Sequence, residues 1–502
     1  MSTATPTVED GNLDHRSRMI ILVGVMSGMF LASLEGTIIN TALVTITTDL
    51  GGLDKYTWVG TAYMLTSTAA TPLYGKLSDI YGRKLMYQVS ISIFIFASVL
   101  CSMSQSMEFL VFSRALQGIG GGGLTAMAFI VVGDIIPPRV RGRYTGYLTT
   151  LYAISSVIGP LIGGVIVDNF SWRWIFWVNV PIGIATFLIT SATMNIPVDK
   201  VKRSIDYLGI FLLVGAVTSL ILVLSWAGEE YGWTSNTAIL LFLLAALLTI
   251  GFLYWEPRAN EPLVPPRLIK IPTLRIMIPL LMLFGVGMLG TNAFIPLFLQ
   301  AVTGVTPTQS GLLLLPMIFG VLTAALIAGR VIERTGRYRK WLLSGSALMA
   351  VGMTILSLMS QTNAGLTAGL IGMFVMGFGT GSLGPVSTTV IQNSVEHPDL
   401  GITTSMITFF RSLGGAIGLA TCGALFNVFA RDKVEPQFLH DPRLVKELPE
   451  PQKTSVLNAL SDSITGTFKW MIPAMILIFV LASMVKEVPL RQTIGPNTGT
   501  TD

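Results

Sequence analysis

The chain has 502 residues, 51% of them hydrophobic and only 12% charged, with 51 glycines and a mean hydropathy of +0.68. Soluble domains carry roughly a quarter charged residues, so an array of soluble domains is excluded. The formal charge of +5 does not mark a nucleic-acid binder, because no basic patch is interleaved with exposed aromatics.

Uncharged runs of about twenty residues, the length that crosses about 30 Å of hydrocarbon, recur along the chain. They predict helices at 19–43, 56–77, 85–104, 108–132, 144–167, 174–194, 206–227, 237–255, 276–300, 310–332, 341–360, 365–391, 402–429 and 467–486. The fold class read from them is an all-α polytopic membrane protein with fourteen transmembrane helices. The first run is a span and not a cleaved signal, because it continues past Glu35 to Leu43. With the N-terminus inside, the Lys and Arg count is 22 inside against 8 outside, five of the latter in one long loop at 430–466 and a sixth, Lys469, just after it. Both termini are thus expected in the cytoplasm, and the basic excess is a topology signal with affinity for the anionic headgroups of the bilayer. Within 430–466, Lys453 to Ile464 is predicted as a short amphipathic surface helix. The ends, 1–14 and 490–502, are polar and predicted disordered. Cys101 and Cys422 fall inside apolar runs and read as packing residues, not as a disulfide or metal site.

Two segments repeat. GKLSDIYGRK (Gly75 to Lys84) follows span two, and GRVIERTGRYRK (Gly329 to Lys340) follows span ten. Gly75, Asp79, Gly82 and Arg83 align on Gly329, Glu333, Gly336 and Arg337 at a constant shift of 254. In span four, ALQGIGGGG (Ala115 to Gly123) likewise resembles FVMGFGTGS (Phe374 to Ser382) in span twelve. The predicted organisation is a tail at 1–18, a six-helix bundle at 19–195, an extra helix pair at 205–256, a second six-helix bundle at 273–487 that includes the extracellular loop 430–466, and a tail at 488–502. Paired repeats of this kind place a substrate site near the bilayer midplane, between halves that rock against each other.

LEGTIINTAL (Leu34 to Leu43), GKLSDIYGRK, RALQGIGGG (Arg114 to Gly122), GPLIGG (Gly159 to Gly164) and WRWIFWVNVPIG (Trp172 to Gly183) occur in this order. Together they make the sequence resemble the major facilitator superfamily, in particular its fourteen-helix drug:proton antiporter branch, from Leu34 to about Phe429. The resemblance implies the major facilitator fold, two six-helix bundles plus two linker helices.

Glu35 is the carboxylate well inside a span, about 24 Å along the first helix from Met19. Burial disfavours its charged form, which makes it a candidate for taking up and releasing a proton. The plainer reading is a structural partner for a buried arginine. Arg114 lies roughly 10 Å below the outer start of span four and reaches a similar depth. A guanidinium that separates from the carboxylate makes a proton switch, whereas one that stays is charge compensation. The resemblance implies proton-coupled drug export for the acid, at a position where the family usually has Asp, and a proton-transfer role for Arg114. Arg411, mid-way along span thirteen, either bonds carbonyls freed by SLGGAIG (Ser412 to Gly418) or meets an anionic group on a substrate.

Asp79 and Arg83, with Gly75, Gly82 and Lys84, are expected to bridge helix ends, a carboxylate being favoured at a helix N-terminus. The resemblance implies a latch between the halves in the outward-open state, with Glu333 and Arg337 as a looser copy. Gly159 and Gly163, four apart, form one smooth face, with a kink at Pro160 and with Gly164 beside them. Here the resemblance implies the antiporter motif at the interface between bundles, with Ser155 in place of the leading glycine. The glycines of span four are followed by no Lys-Ser or Lys-Thr, which argues against ATP, and His15, His397 and His440 all lie outside the spans, which argues against a histidine relay or metal site.

The expected function is secondary active transport and not catalysis: proton-coupled export of amphipathic hydrophobic small molecules by alternating access. It is expected of a monomer, without cofactor or metal, in a bacterial plasma (inner) membrane, and implies multidrug efflux and antibiotic resistance. Glu35, Asn40, Tyr63, Arg114, Tyr152, Asn292, Phe410 and Arg411 are the candidate cavity residues. Two alternatives stay open, a narrow exporter of a metabolite or organic anion and a non-transporting receptor or scaffold.

Overall fold

In hydrocarbon a spanning segment must satisfy its own backbone, and runs of Leu, Ile, Val and Phe punctuated by Gly and Pro do so as helices. The computed structural model describes residues 15–50, 56–194, 206–226, 232–260, 262–305, 307–360, 362–396, 399–430, 433–434 and 448–490, and among them there is no strand. The first half comprises α1 (His15–Leu50), α2 (Tyr56–Tyr81), α3 (Arg83–Ser102), α4 (Met107–Ile135), α5 (Pro138–Asn169), α6 (Trp174–Trp177) and α7 (Asn179–Thr193). Next come α8 (Tyr207–Trp226), α9 (Asn236–Trp255) and the short α10 (Pro266–Ile269). The second half begins with α11 (Pro272–Leu297), which loosens into a π-helical turn at Phe298–Val302. It continues with α12 (Pro307–Leu313), α13 (Leu315–Thr335), α14 (Arg339–Leu356), α15 (Asn363–Asn393), α16 (Leu400–Ala430) and α17 (Gln452–Met484).

Among the described residues, 11 helical segments are long and apolar enough to cross a membrane. α2, α5 and α14 fall outside that group and carry charges near one end, among them Lys76, Asp79, Arg141, Arg143, Arg339 and Lys340. Ser106, Ser235 and Thr362 cap α4, α9 and α15, each hydroxyl accepting from the amide three residues on at 3.3, 3.1 and 3.1 Å.

The sequence repeat is a repeat of geometry. Gly82 and Gly336 end α2 and α13 with φ of 98° and 69°, a backbone region that favours glycine. A Cβ on Gly118, Gly120 or Gly122 of α4 would enter the Tyr63 carbonyl, the Phe94 amide and the Ser67 carbonyl. On Gly377, Gly379 or Gly381 of α15 it would enter the Met317 carbonyl, the Met349 amide and the Val321 carbonyl. Tyr63 and Ser67 stand to Met317 and Val321 at the shift of 254 found in the sequence. Small residues therefore set the helix spacing identically in both halves.

The halves meet where α2 packs on α16 and α5 packs on α13. Equivalent glycines close these equivalent seams: a Cβ on Gly75 would enter Ser405, and one on Gly329 would come within 2.8 Å of the Arg143 Cα. Both lie toward the end that carries GKLSDIYGRK, called the latch end below. Along α16 every residue from Leu400 to Phe409 is buried, and each of the next four, Phe410 to Leu413, is half-buried. Along α2, Tyr63 to Ser67 are half-buried and Thr68 to Pro72 are buried. Four successive residues cover more than a full turn, so this exposure is not one lipid-facing stripe. The halves are joined at the latch end and part toward the opposite end. α8 packs on both α2 and α16, while α9 packs on α8 and exposes Leu240, Leu243, Leu247 and Leu253, as befits a helix against lipid.

Lys453 to Ile464 do not form a separate surface helix: they are the first turns of α17, and Leu460 and Ile464 are buried in the core of the second half. The apolar stripe that suggested a surface helix packs into that core. The tails 1–14 and 491–502, and 435–447 of the long loop, lie outside the described residues, as do the side chains of Asn40, Tyr152 and Pro160.

At the end opposite the latch, Asp49 accepts hydrogen bonds from Trp172 Nε1 (2.8 Å) and Arg173 Nη1 (3.0 Å). Arg173 also donates to the Ser104 carbonyl (3.0 Å) and lies 4.3 Å over the Trp172 ring, so one arginine ties its own loop to the end of α1 and to the loop between α3 and α4. The bonds from Trp172 and Arg173 hold the Asp49 carboxyl below the ordinary carboxylate range. A lowered pKa means that this clasp stabilises the fold at neutral pH and that the benefit is lost as pH falls through the lowered value, below about 3.9. Asp49→Asn should therefore lower the melting temperature at neutral pH, modestly because the carboxyl is half exposed. The difference should close as the pH falls through that lowered value in a tryptophan-fluorescence melt; a gap undiminished by acid would rule out the charge as its source.

Candidate proton-coupling site and latch

Glu35 and Arg114, from α1 and α4, form an ion pair at 2.7 Å with side chains 0% and 1% exposed. Asn179, at the start of α7, donates to the second carboxylate oxygen at 2.6 Å. The guanidinium also donates to Gln117 Oε1 (2.6 Å) and to the Val59 carbonyl (3.2 Å), and its carbon lies 4.5 Å over the Tyr63 ring. Gln117 in turn donates to Ser98 (2.8 Å), and Tyr63 donates to the Ala32 carbonyl (3.2 Å). Glu35 thus points into the interior of the first bundle, with half-buried Tyr63 beside the pair.

Burial opposes charge on the carboxylate, while the guanidinium and the Asn179 amide favour it. If Glu35 takes a proton, Arg114 keeps Gln117, Val59 and Tyr63, so the guanidinium loses its counter-charge but stays hydrogen-bonded. The arrangement permits one group to change charge without collapsing the other.

Asn292 of α11 and Phe410 of α16 are half-buried, and Phe410 stands edge-on to Phe409 at 5.2 Å. Arg411 reaches across to the first half, its guanidinium carbon 5.2 Å from the Phe129 ring centre.

At the latch, Arg83 donates to Asp79, to Ser78 (2.6 Å) and to Asp134 of α4 (2.7 Å). Arg83 and both carboxylates are at most 9% exposed. Gly401, in the first turn of α16, sits so close that a Cβ there would enter Asp79 and lie 2.9 Å from Arg83. Asp79 therefore stands at the N-terminus of a helix from the other half, where a negative charge is favoured. Lys84 instead ties α3 to α7, within the first half, by donating to the Ser191 carbonyl (2.6 Å). In the second copy Glu333 is half-buried and Arg337 is exposed, so the aligned arginine is not the buried centre that Arg83 is in the first.

Gly159 does not face the other bundle. A Cβ there would enter Thr37 and come within 3.1 Å of the Ile38 amide, both in α1 of the same half, and Thr37 donates to the Ser155 carbonyl at 2.9 Å. Gly163 is buried, and Gly164 has open space around it. α5 reaches the second half through other residues, such as Gly146 against Ala325.

Sequence reading missed Asn179, Gln117 and Asp134. Gln117 lies three residues from Arg114, hence on the same helix face, and Asn179 lies inside the quoted WRWIFWVNVPIG. Asp134 is a carboxylate at the latch-end terminus of α4, three residues before a proline pair.

The sequence model of the Major Facilitator Superfamily matches residues 25–291 and 196–419. This chain belongs to that superfamily. This facilitator is 36% identical over 483 residues to an uncharacterized MFS-type transporter of Mycobacterium tuberculosis, covering 94% of the chain and 70% of that protein. It is 36% identical over 410 residues to Multidrug transporter protein MdtP of Bacillus subtilis, covering 82% and 75%. With Multidrug resistance protein 3 of the same organism it shares 32% over 472 residues, covering 90% and 92%. Among solved structures, the human organic anion transporter MFSD10 has the same fold, with a TM-score of 0.60 at 13% identity over 91% of this chain and 99% of that one. The facilitator is thus a multi-pass membrane transporter for small molecules, with relatives named as multidrug and efflux proteins.

Proposed function

We propose that this facilitator is a proton-coupled secondary active exporter of amphipathic, mostly hydrophobic small molecules, acting as a monomer by alternating access. The observation that carries the reading is the Glu35–Arg114 pair, fully enclosed among Asn179, Gln117 and Ser98. In the register that sets Gly118 on Gly377, Arg114 falls on Met373, which is completely buried. The second bundle is thus built with an apolar side chain at this place, so the ion pair is not a requirement of the architecture. A costly buried charge pair that the fold does not need argues for a functional role.

In this reading α2, α5 and α14 also span, giving fourteen helices with both termini and the latch on the cytoplasmic side of a bacterial plasma membrane. The bundles at 19–195 and 273–487 rock about the seam, and the pair at 205–256 rides on it. Closure at the latch end makes the present conformation outward-open. Glu35 takes a proton while the cleft faces outward, and cargo arriving from the inside restores the Arg114 contact and releases that proton. Efflux of this kind confers antibiotic resistance where the cargo includes an antibiotic.

Vesicles of the purified full chain with an imposed pH gradient provide the test. Drug-dependent proton movement is expected in the wild type and should be absent in Glu35→Gln; wild-type rates in that variant would defeat the coupling assignment.

A further inference from the structure

Arg114 donates to one oxygen of Glu35 at 2.7 Å, and the Asn179 amide donates to the other at 2.6 Å. A carboxylate only accepts, whereas a protonated carboxyl carries an O–H that must find an acceptor when it is buried. Arginine has no acceptor atom, so the proton belongs on the oxygen that faces Asn179. Gln117 Oε1 already accepts from Arg114 at 2.6 Å and from the Cys101 thiol at 3.6 Å. Asn179, at the start of α7 and 2% exposed, has both kinds of atom: a half-turn about its Cβ–Cγ bond sets Oδ1 where Nδ2 stood. Ser98 Oγ lies 3.5 Å from that nitrogen, accepts from Gln117 at 2.8 Å and donates to the Phe94 carbonyl at 2.8 Å. Its hydroxyl can meet either orientation of the amide.

We infer that Asn179 is a two-state positioning residue, whose amide donates to Glu35 while the acid is charged and turns over to accept from it once the proton is on. This rests on the proton-coupling reading and names the group that sets the pH at which the exchange occurs. Both protonation states are then hydrogen-bonded without parting α7 from α1. Arg114 of α4 stays a cation and a donor throughout, with Tyr63 of α2 under its guanidinium, and Cys101 of α3 is turned to Gln117. α5 meets this stretch of α1 through Gly159 and the Ser155 carbonyl, and α7 carries no titratable side chain. A hydrogen bond to a charged acceptor outweighs one to a neutral partner, so the asparagine serves both states and favours the charged acid on balance.

The test titrates the full chain in nanodiscs by infrared difference spectroscopy, with asparagine isotope-labelled at the side-chain carbonyl. Drug-driven proton movement is read in parallel in vesicles over the same pH range. Protonation of Glu35 should shift one asparagine carbonyl band, which is absent in Asn179→Leu and does not move with pH in Glu35→Gln. The midpoint of the Glu35 carboxyl band should rise by about one pH unit in Asn179→Leu, about tenfold in proton affinity, the margin between a charge-assisted hydrogen bond and a neutral one. Asn179→Asp keeps the shape of the side chain and sets a second acid beside the first, so its midpoint should rise further, and it provides the comparison should Asn179→Leu fold poorly. An asparagine band that stays put as Glu35 titrates, or a midpoint unchanged in both variants, overturns the inference. The expected band and midpoint shifts without any drug-driven proton movement would support it while defeating the export reading. Drug-driven proton movement with one pH midpoint in wild type and both variants would do the reverse.

Discussion

Arg114→Ala should abolish coupled export and destabilise the protein by about 3–5 kcal/mol, the cost of leaving one member of a buried ion pair without its partner. The variant strands a carboxylate with no exposure, leaving it hydrogen bonds from neutral side chains such as the Asn179 amide, and it removes the guanidinium from Gln117 Oε1 and the Val59 carbonyl. Glu35 can survive such a site only by holding its proton permanently, which is incompatible with a cycle that must release it. The double variant Glu35→Gln, Arg114→Met should regain most of the lost stability, because it removes both charges and places in α4 the side chain that α15 carries at Met373. It should not regain proton movement. Melting curves for the two single variants and the double close a thermodynamic cycle, and substrate-induced proton release is measured on the same samples. Proton release that persists in Arg114→Ala would refute the switch, and a double variant no more stable than Arg114→Ala would refute the ion pair as the source of the loss.

The second large effect lies at the latch. Gly401→Leu forces a Cβ into Asp79 and a branched side chain toward Arg83, between the first turn of α16 and the end of α2. That contact couples Asp79 to the N-terminus of α16, typically worth 0.3–1 kcal/mol and up to about 2 where partly buried, and packing at Gly75 adds to it. Losing about 2 kcal/mol moves an equilibrium between two conformations roughly thirtyfold, enough to populate a state parted at the latch end. Thr404, fully buried in α16 and hydrogen-bonded to Gln392 of α15 at 2.8 Å, reports on that parting. In a background with Cys101 and Cys422 replaced, Thr404→Cys should be protected from an aqueous thiol reagent and become reactive when Gly401→Leu is added. Equal protection in both would mean that Gly401 does not hold the seam. Gly401→Ala, a smaller intrusion, should give an intermediate rate.

Depth along a helix was legible in the sequence. A place sixteen residues on from Met19, and the seventh place of span four, set Glu35 and Arg114 at one level, and the structure pairs them at 2.7 Å. The repeat was legible for a related reason: glycine at a helix crossing and at a positive-φ end is demanded by local geometry, so Gly75 with Gly329, and Gly82 with Gly336, mark equivalent places before any fold is known. Rotation about the helix axis was not legible. In water an apolar stripe marks the buried face, but in lipid every face is apolar, and the pattern no longer separates a packed side from a bathed one.

That missing coordinate accounts for the differences. Gly159 turns toward Thr37 of its own half, Asn179 turns from a quoted motif onto Glu35, and Lys453 to Ile464 continue into α17 with Leu460 and Ile464 buried. By itself, then, the sequence determined an all-helical membrane chain made of two related halves, with an acid and an arginine at matching depth. Only the tertiary structure decided which groups enclose that acid, which glycines join the halves, and that Arg411 lies over Phe129 where the seam opens, because those facts depend on how helices turn toward one another.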